Sequence, residues 1–238
     1  MKIDILAIGV HPDDAELSCV GTLLKHISMG KKVGLLDLTQ GELGTRGSGP
    51  LRLKEAAASA KIMGAEFRIN LGMEDGFFLN TTENKMKIIE VIRKYQPEIV
   101  LTNAVRDRHP DHARAALMTS EACFLSGLVK IETYDNGKLQ DRWRPKNVYH
   151  YIQDYTLEPD FIQDITGFVD KKLECIQAFS SQFYNPKSKE PVSPISSKAF
   201  LDSVIAKNQV HGRLIGVDYG EGFNTARPVG VDSLFDIR

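Results

Sequence analysis

Apolar runs of strand length alternate with stretches of helical periodicity through the first half of the chain, and that alternation leaves few folds open. Residues 3–10, 32–39, 67–71 and 99–103 have the length and apolarity of buried strands. Between them, residues 15–29 (closed by Gly30), 51–63 (ended by Gly64) and 83–95 (stopped by Pro97) read as helices. Strands joined by helices pair in parallel through right-handed crossovers. The expected fold class is therefore α/β: a three-layer, Rossmann-like arrangement with a mostly parallel sheet and helices on both faces. Further helices are expected at 112–126, 167–179 and 199–210, and a strand at 147–152, all in a single domain spanning 1–238. The stretch 185–197, with Pro186, Pro191 and Pro194 among serines and lysines, reads as a mobile loop.

Bulk properties exclude several classes of function. A net charge of -1 provides no general field for nucleic acid or an anionic membrane. The N-terminal run is interrupted by Asp4 and has no basic region or cleavage site, so it is not a signal peptide, and no run reaches the ~18 apolar residues of a membrane span. A cytoplasmic location is expected. Cys19, Cys123 and Cys175 lack C-x-x-C spacing and read as buried free thiols.

Two segments carry the chemistry. His11-Pro12-Asp13-Asp14 follows the first strand, and His109-Pro110-Asp111-His112 follows the strand at 99–103. In open α/β sheets ligands bind outside the carboxyl ends of the strands, so the two blocks can face each other there. Proline after each first histidine ends the strand and leaves Asp14 and His112 at the start of the next helix. His11, Asp14 and His112 then make a catalytic zinc set with one open position. Iron(II) is the alternative ion for the same donors. Asp13 remains to take a proton from water, an imidazolium at His109 to stabilise an oxyanion, and Asp111 to orient His109.

Each group has a plainer explanation. An Asp-Asp pair after a strand caps helices, and a histidine in a first turn needs no metal. Two such blocks at equivalent strand ends are hard to explain by capping alone. His26, His150 and His211 have no acidic partner at ligand spacing and read as surface or core residues. The loop at 41–49 lacks both G-x-G-x-x-G after the first strand and a P-loop ending, and reads as a flexible rim.

At these motifs the chain resembles the LmbE/PIG-L family of zinc-dependent N-acetylglucosaminyl deacetylases. The likeness extends through Thr45-Arg46-Gly47, Leu51-Arg52, 71–75, Arg108, Ser181-Gln182-Phe183 and 219–223, and is closest to the bacillithiol-biosynthesis branch. It implies removal of acetate from N-acetylglucosaminyl L-malate, with His11, Asp14 and His112 holding zinc, Asp13 as base, and His109, held by Asp111, as electrophile. It also implies Arg52 and Asp75 as sugar contacts, Arg106 or Arg108 as malate contacts, and a homo-oligomer, with a hexamer among the forms. Phe200 falls where some relatives bring a tyrosine, which leaves a tyrosine-assisted step in doubt. Mycothiol-precursor and disaccharide deacetylases share the motif. A non-haem iron(II) oxygenase and a non-catalytic sugar-binding protein are the competing classes, and an intact Asp13 argues against both.

Overall fold

The computed structural model describes residues 1–237. A seven-stranded sheet forms its centre: β1 (Ile5–Gly9), β2 (Val33–Thr39), β3 (Phe67–Met73), β4 (Ile99–Thr102), β7 (Asn147–Tyr151), β8 (Phe161–Asp164) and β9 (Gly220–Thr225). A small hairpin, β5 (Tyr134–Asp135) and β6 (Lys138–Leu139), stands apart. The sheet order is β3-β2-β1-β4-β7-β9-β8. All pairs from β3 to β7 are parallel, while β9 runs antiparallel to both neighbours. The helices are α1 (Asp14–Ser18), α2 (Val20–Ser28), α3 (Gly49–Met63), α4 (Thr82–Tyr95), α5 (Pro110–Leu125), α6 (Val169–Gln177) and α7 (Lys198–Leu214).

The two-residue period of the central strands divides the core. Leu6, Ile8, Leu36 and Leu38 face α4 and α5, packing on Ile88, Ile92 and Met118. Ile5, Ala7, Val33 and Leu35 face the other way, onto Val20, Leu23, Met63 and Cys175. Side chains buried on both faces explain why these strands are continuously apolar rather than alternating. The expected α/β architecture with helices on both sides is what the chain adopts. Cys19, Cys123 and Cys175 are buried and free, and no helix among the described residues is long and apolar enough to cross a membrane.

Three elements differ from expectation. The helix anticipated over 15–29 is broken at Cys19 into α1 and α2. The break is stabilised from far away: Glu221 on β9 accepts hydrogen bonds from the backbone N–H groups of Gly21 and Thr22 (3.0 and 2.7 Å) and from the Thr22 hydroxyl. That carboxylate caps the α2 N-terminus and complements its dipole. Glu221 is itself paired with the fully buried Lys172 at 2.7 Å. Strands β8 and β9 were not legible; they are short, and β9 reads GEGFNT, a poor strand by propensity, held by its neighbours on both sides.

Candidate metal centre and active site

From β1 the chain runs through β2 to the β3 edge, then returns to place β4 on the other side of β1. The crevice between β1 and β4 is thus the switch point of the sheet, where ligands bind in such folds. Both His-Pro-Asp segments end there. His11, Asp14 and His112, all buried, each place a donor atom within 4.8 Å of the other two. His112 Nε2 lies 3.3 Å from Asp14 Oδ1, and His11 Nδ1 lies 3.8 Å from Asp14 Oδ2. Tetrahedral zinc bonds of ~2.0–2.1 Å separate donors by about 3.3 Å, so two imidazoles and a carboxylate at these distances fit a divalent ion.

Local structure fixes this set. Asp14 Oδ2 accepts the backbone N–H groups of Val10 (2.9 Å) and His11 (3.0 Å) and the Asn103 amide (2.8 Å). Gln153 approaches Asp14 Oδ1 at 3.2 Å and also binds Asn103. Close packing under the turn requires Gly9, where a Cβ would come within 3.0 Å of Asp14 Cβ. Each histidine gives its other nitrogen to a carboxylate. His11 Nε2 pairs with Asp75 Oδ1 at 2.9 Å, leaving Nδ1 for the ion, and His112 Nδ1 pairs with Asp107 Oδ2 at 2.6 Å, leaving Nε2. Such partners set tautomer, orientation and basicity of metal-binding histidines.

Burial opposes charge on His11, yet Asp14 and Asp75 outweigh it and raise the imidazole to about 10. Burial likewise opposes charge on His112, and Asp14 with Asp107 raises it to about 9. Asp14, despite burial, is held well below the usual carboxylate range by these histidines. In the ion-free protein, protons occupy the place of positive charge.

Asp13 stands beside this set with φ 137°, a backbone region that costs a non-glycine residue of order 1–3 kcal/mol and that clusters at functional sites. Its carboxyl is pushed up to about 6 by burial, against the downward pull of Arg52. Arg52 Nη2 donates to Asp13 Oδ2 at 2.8 Å and to Pro12 O at 3.0 Å, and Nη1 donates to Gly41 O at 2.9 Å. Gly41, with φ 65°, leaves room for this guanidinium; a Cβ would meet Nη1 at 1.9 Å.

The remaining expected residues fall differently. The Asp111 carboxylate accepts hydrogen bonds from the Gly76 N–H (2.8 Å) and Arg114 (2.7 Å) rather than from His109. Instead the Asp111 backbone N–H donates to His109 Nδ1 at 3.3 Å. Nδ1 of His109 thus acts as an acceptor, and burial with the neighbouring His11 and His112 lowers the pKa of the ring. Arg52 and Asp75, expected as sugar contacts, line the cavity and also bond Asp13 and His11. Arg108 lines the cavity and pairs with Asp154 at 2.5 Å, whereas Arg106 is exposed and outside the wall.

A cavity of about 450 Å³ opens over these groups. Its wall includes the 41–49 loop, residues of 185–197 and one face of α7. The rim loop is anchored: buried Arg46 donates to Gln182 O, Phe183 O and the Ser188 hydroxyl, and Leu43 N–H donates to Asp75. Phe200 lies in the wall, stacked on Phe183 with ring centres 6.3 Å apart. His211, set aside on sequence grounds, also lines the cavity. Asp107, Asn103 and Gln153 were missed. Only Asp107 had a signal, an acid five residues before His112 in the run RDRHPDH.

A profile of the family described as PIG-L, GlcNAc-PI de-N-acetylase, matches residues 6–123. Diacetylchitobiose deacetylase from Thermococcus kodakarensis is 33% identical over 190 residues, covering 75% of this chain and 70% of its own. The crystal structure of the conserved protein TT1542 from Thermus thermophilus superposes with a TM-score of 0.86 at 32% identity, over 98% of each chain. A probable N-acetyl-α-D-glucosaminyl L-malate deacetylase 2 of Bacillus anthracis is 25% identical over 75% of this chain and 81% of its own, and 4-oxalmesaconate hydratase of Pseudomonas putida is 26% identical over 74% and 73%. The chain belongs to the PIG-L/LmbE family of deacetylases.

Proposed function

We propose that the protein is a metal-dependent amide hydrolase that removes the acetyl group from an N-acetylglucosaminyl substrate, with N-acetylglucosaminyl L-malate as the first candidate. The carrying observation is the buried Asp13, poised near pH 6 beside the donor set of His11, Asp14 and His112. A general base works best with a pKa near the operating pH. The donor set suits zinc, with iron(II) as the alternative. When bound, such an ion acidifies water and polarises a carbonyl.

The chain's own groups supply the rest. Arg52 holds Asp13 Oδ2 and leaves Oδ1 to accept the proton of the attacking water and return it to the departing amine nitrogen. General acid-base help of this kind contributes about 10²- to 10⁴-fold. His109 offers Nε2–H to the developing oxyanion, a role a neutral imidazole performs. Asp111 serves His109 through its backbone, and its carboxylate fixes the Gly76 turn. Arg108, at the cavity mouth, is the cation available to a malate carboxylate once Asp154 yields it. Arg106 sits outside the wall and is dropped from that role.

The second reading, a disaccharide substrate, is favoured by the 33% identity to the chitobiose enzyme. The test is acetate release by the zinc-loaded protein from N-acetylglucosaminyl malate, a mycothiol precursor and diacetylchitobiose side by side. Asp13→Asn should lose nearly all turnover while keeping metal. No acetate from any of them refutes the proposal, and hydration of an unsaturated dicarboxylate instead would place the chain with the hydratase relative. Homo-oligomeric assembly is part of the same reading, and a monomeric mass by light scattering would refute it.

A further inference from the structure

The cavity wall is of two unlike kinds. One part is charged and carries the metal donors together with Asp13, Arg52, Asp75 and Arg108. Another part is hydrocarbon, built from Leu17 on α1, Ile152 after β7, Ile195 in the loop before α7, and Phe200 and Val204 on α7. Leu17, Ile195, Phe200 and Val204 are half-buried and pack from outside against the small core of Ala56, Ile176, Phe179 and Phe183. The Phe200 ring lies parallel to that of Phe183, so the wall is rooted in the fold. A contiguous apolar surface inside a concave site marks where apolar ligand surface is buried.

This hydrocarbon wall adjoins the chemistry. Leu17 stands one helical turn after Asp13, and its N–H donates to Asp13 O at 3.0 Å. Ile152 immediately precedes Gln153, whose amide approaches Asp14 Oδ1 at 3.2 Å. A group attached to an amide held at the donor set therefore meets Leu17 and Ile152, and Val204, Phe200 and Ile195 complete the surface. Such an amide has two arms. The sugar arm is covered with hydroxyls, and none of these five side chains can give or accept a hydrogen bond. The acyl arm is hydrocarbon, and an acetyl group offers a single methyl to a wall of five side chains. A longer unbranched acyl chain matches that wall in chemistry and in extent.

We propose that Leu17, Ile152, Ile195, Phe200 and Val204 form an acyl-chain subsite, and that the protein hydrolyses N-acyl amino sugars with chains such as butyryl and hexanoyl in addition to the acetyl compound. This rests on the amide-hydrolase reading above and extends it to a second class of substrate. The bonds are those of deacetylation: the amide C–N bond breaks, the oxygen of water joins the acyl carbon, and one hydrogen of that water passes to the nitrogen. The products are the free amine and a carboxylic acid of matching length, with no further co-reactant.

The test is amine release by the zinc-loaded protein from N-acetyl-, N-butyryl- and N-hexanoylglucosamine. Each methylene that the wall covers should lower KM about 4-fold, so kcat/KM should rise along the series. Val204→Trp fills part of the wall and should cut the hexanoyl-to-acetyl ratio of kcat/KM about 10-fold, the loss of roughly two methylene contacts. Should that variant fail to fold, the wild-type series decides alone: a kcat/KM that falls with each added carbon overturns the proposal. A wall that stacks on the sugar ring instead would make Phe200→Ala raise KM equally for the acetyl and hexanoyl compounds, which also overturns it. Calorimetric binding of the same two compounds to Asp13→Asn needs no turnover and separates the two readings. Tighter binding of the hexanoyl compound without amine release from the wild type refutes the hydrolase reading and keeps the subsite, whereas equal or absent binding of both overturns the subsite.

Discussion

Replacing Arg52 with methionine should convert the proposed base into an acid at neutral pH. Arg52 Nη2 lies 2.8 Å from Asp13 Oδ2, with both side chains 6% exposed, so the contact is dry and its removal is not compensated by solvent. A hydrogen bond to a charged group is worth about 1.5–3 kcal/mol, or about 1–2 pKa units at 1.36 kcal/mol each. Burial already pushes Asp13 up to about 6. Without its counter-charge, the carboxyl should move to about 7–8, since the lost interaction favoured only the ionised form. At pH 7 the ionised fraction then drops from about nine-tenths to between half and one-tenth, and kcat/KM falls about 2- to 10-fold from titration alone. Activity should recover towards pH 9. The assay is the pH–rate profile of the metal-loaded enzyme, wild type against Arg52→Met. An acid limb that stays in place, with a loss equal at all pH values, would show that Arg52 acts on substrate and not through Asp13.

Metal uptake at pH 7 should release protons, because His11 and His112 hold theirs up to about 10 and about 9 in the ion-free protein. Calorimetry in buffers of differing ionisation enthalpy counts them, and zero release refutes the ion-free protonation. The sign for stability follows: these raised values stabilise the ion-free fold fully below the ordinary 6.5 and lose that contribution as pH climbs through 9 to 10, which a melting series reads. Asp107→Asn should weaken zinc affinity about 10- to 100-fold in a chelator competition, and unchanged affinity would remove Asp107 as the orienter of His112. Lys172→Met should cost about 3–5 kcal/mol in denaturant unfolding by leaving Glu221 a less compensated buried charge, and a change below ~1 kcal/mol would show the backbone caps of Glu221 suffice.

The parallel half of the fold was written in periodicity because each of β1, β2 and β4 is buried on two faces by local helices, and apolar runs betray that. The antiparallel edge was not, since β9 owes its strand to pairing partners at 149–151 and 161–164 rather than to its own glycine-rich residues. The donor triad was legible because proline and strand ends fix where His11, Asp14 and His112 point. Their carboxylate partners were not, because Asp75 and Asp107 reach them from other loops, and no spacing rule encodes a contact between residues 11 and 75. The bonds of Arg52 to Asp13, Pro12 and Gly41 were hidden for the same reason, since only the folded turn at Gly41 brings these groups together.

The capping of α2 by Glu221 ties the helix that follows the first motif to a strand that emerges from the ribosome some 200 residues later. During synthesis α2 cannot gain this cap until β9 has been made and docked, whereas the turn bearing His11 and Asp14 is held by its own backbone and by Asn103.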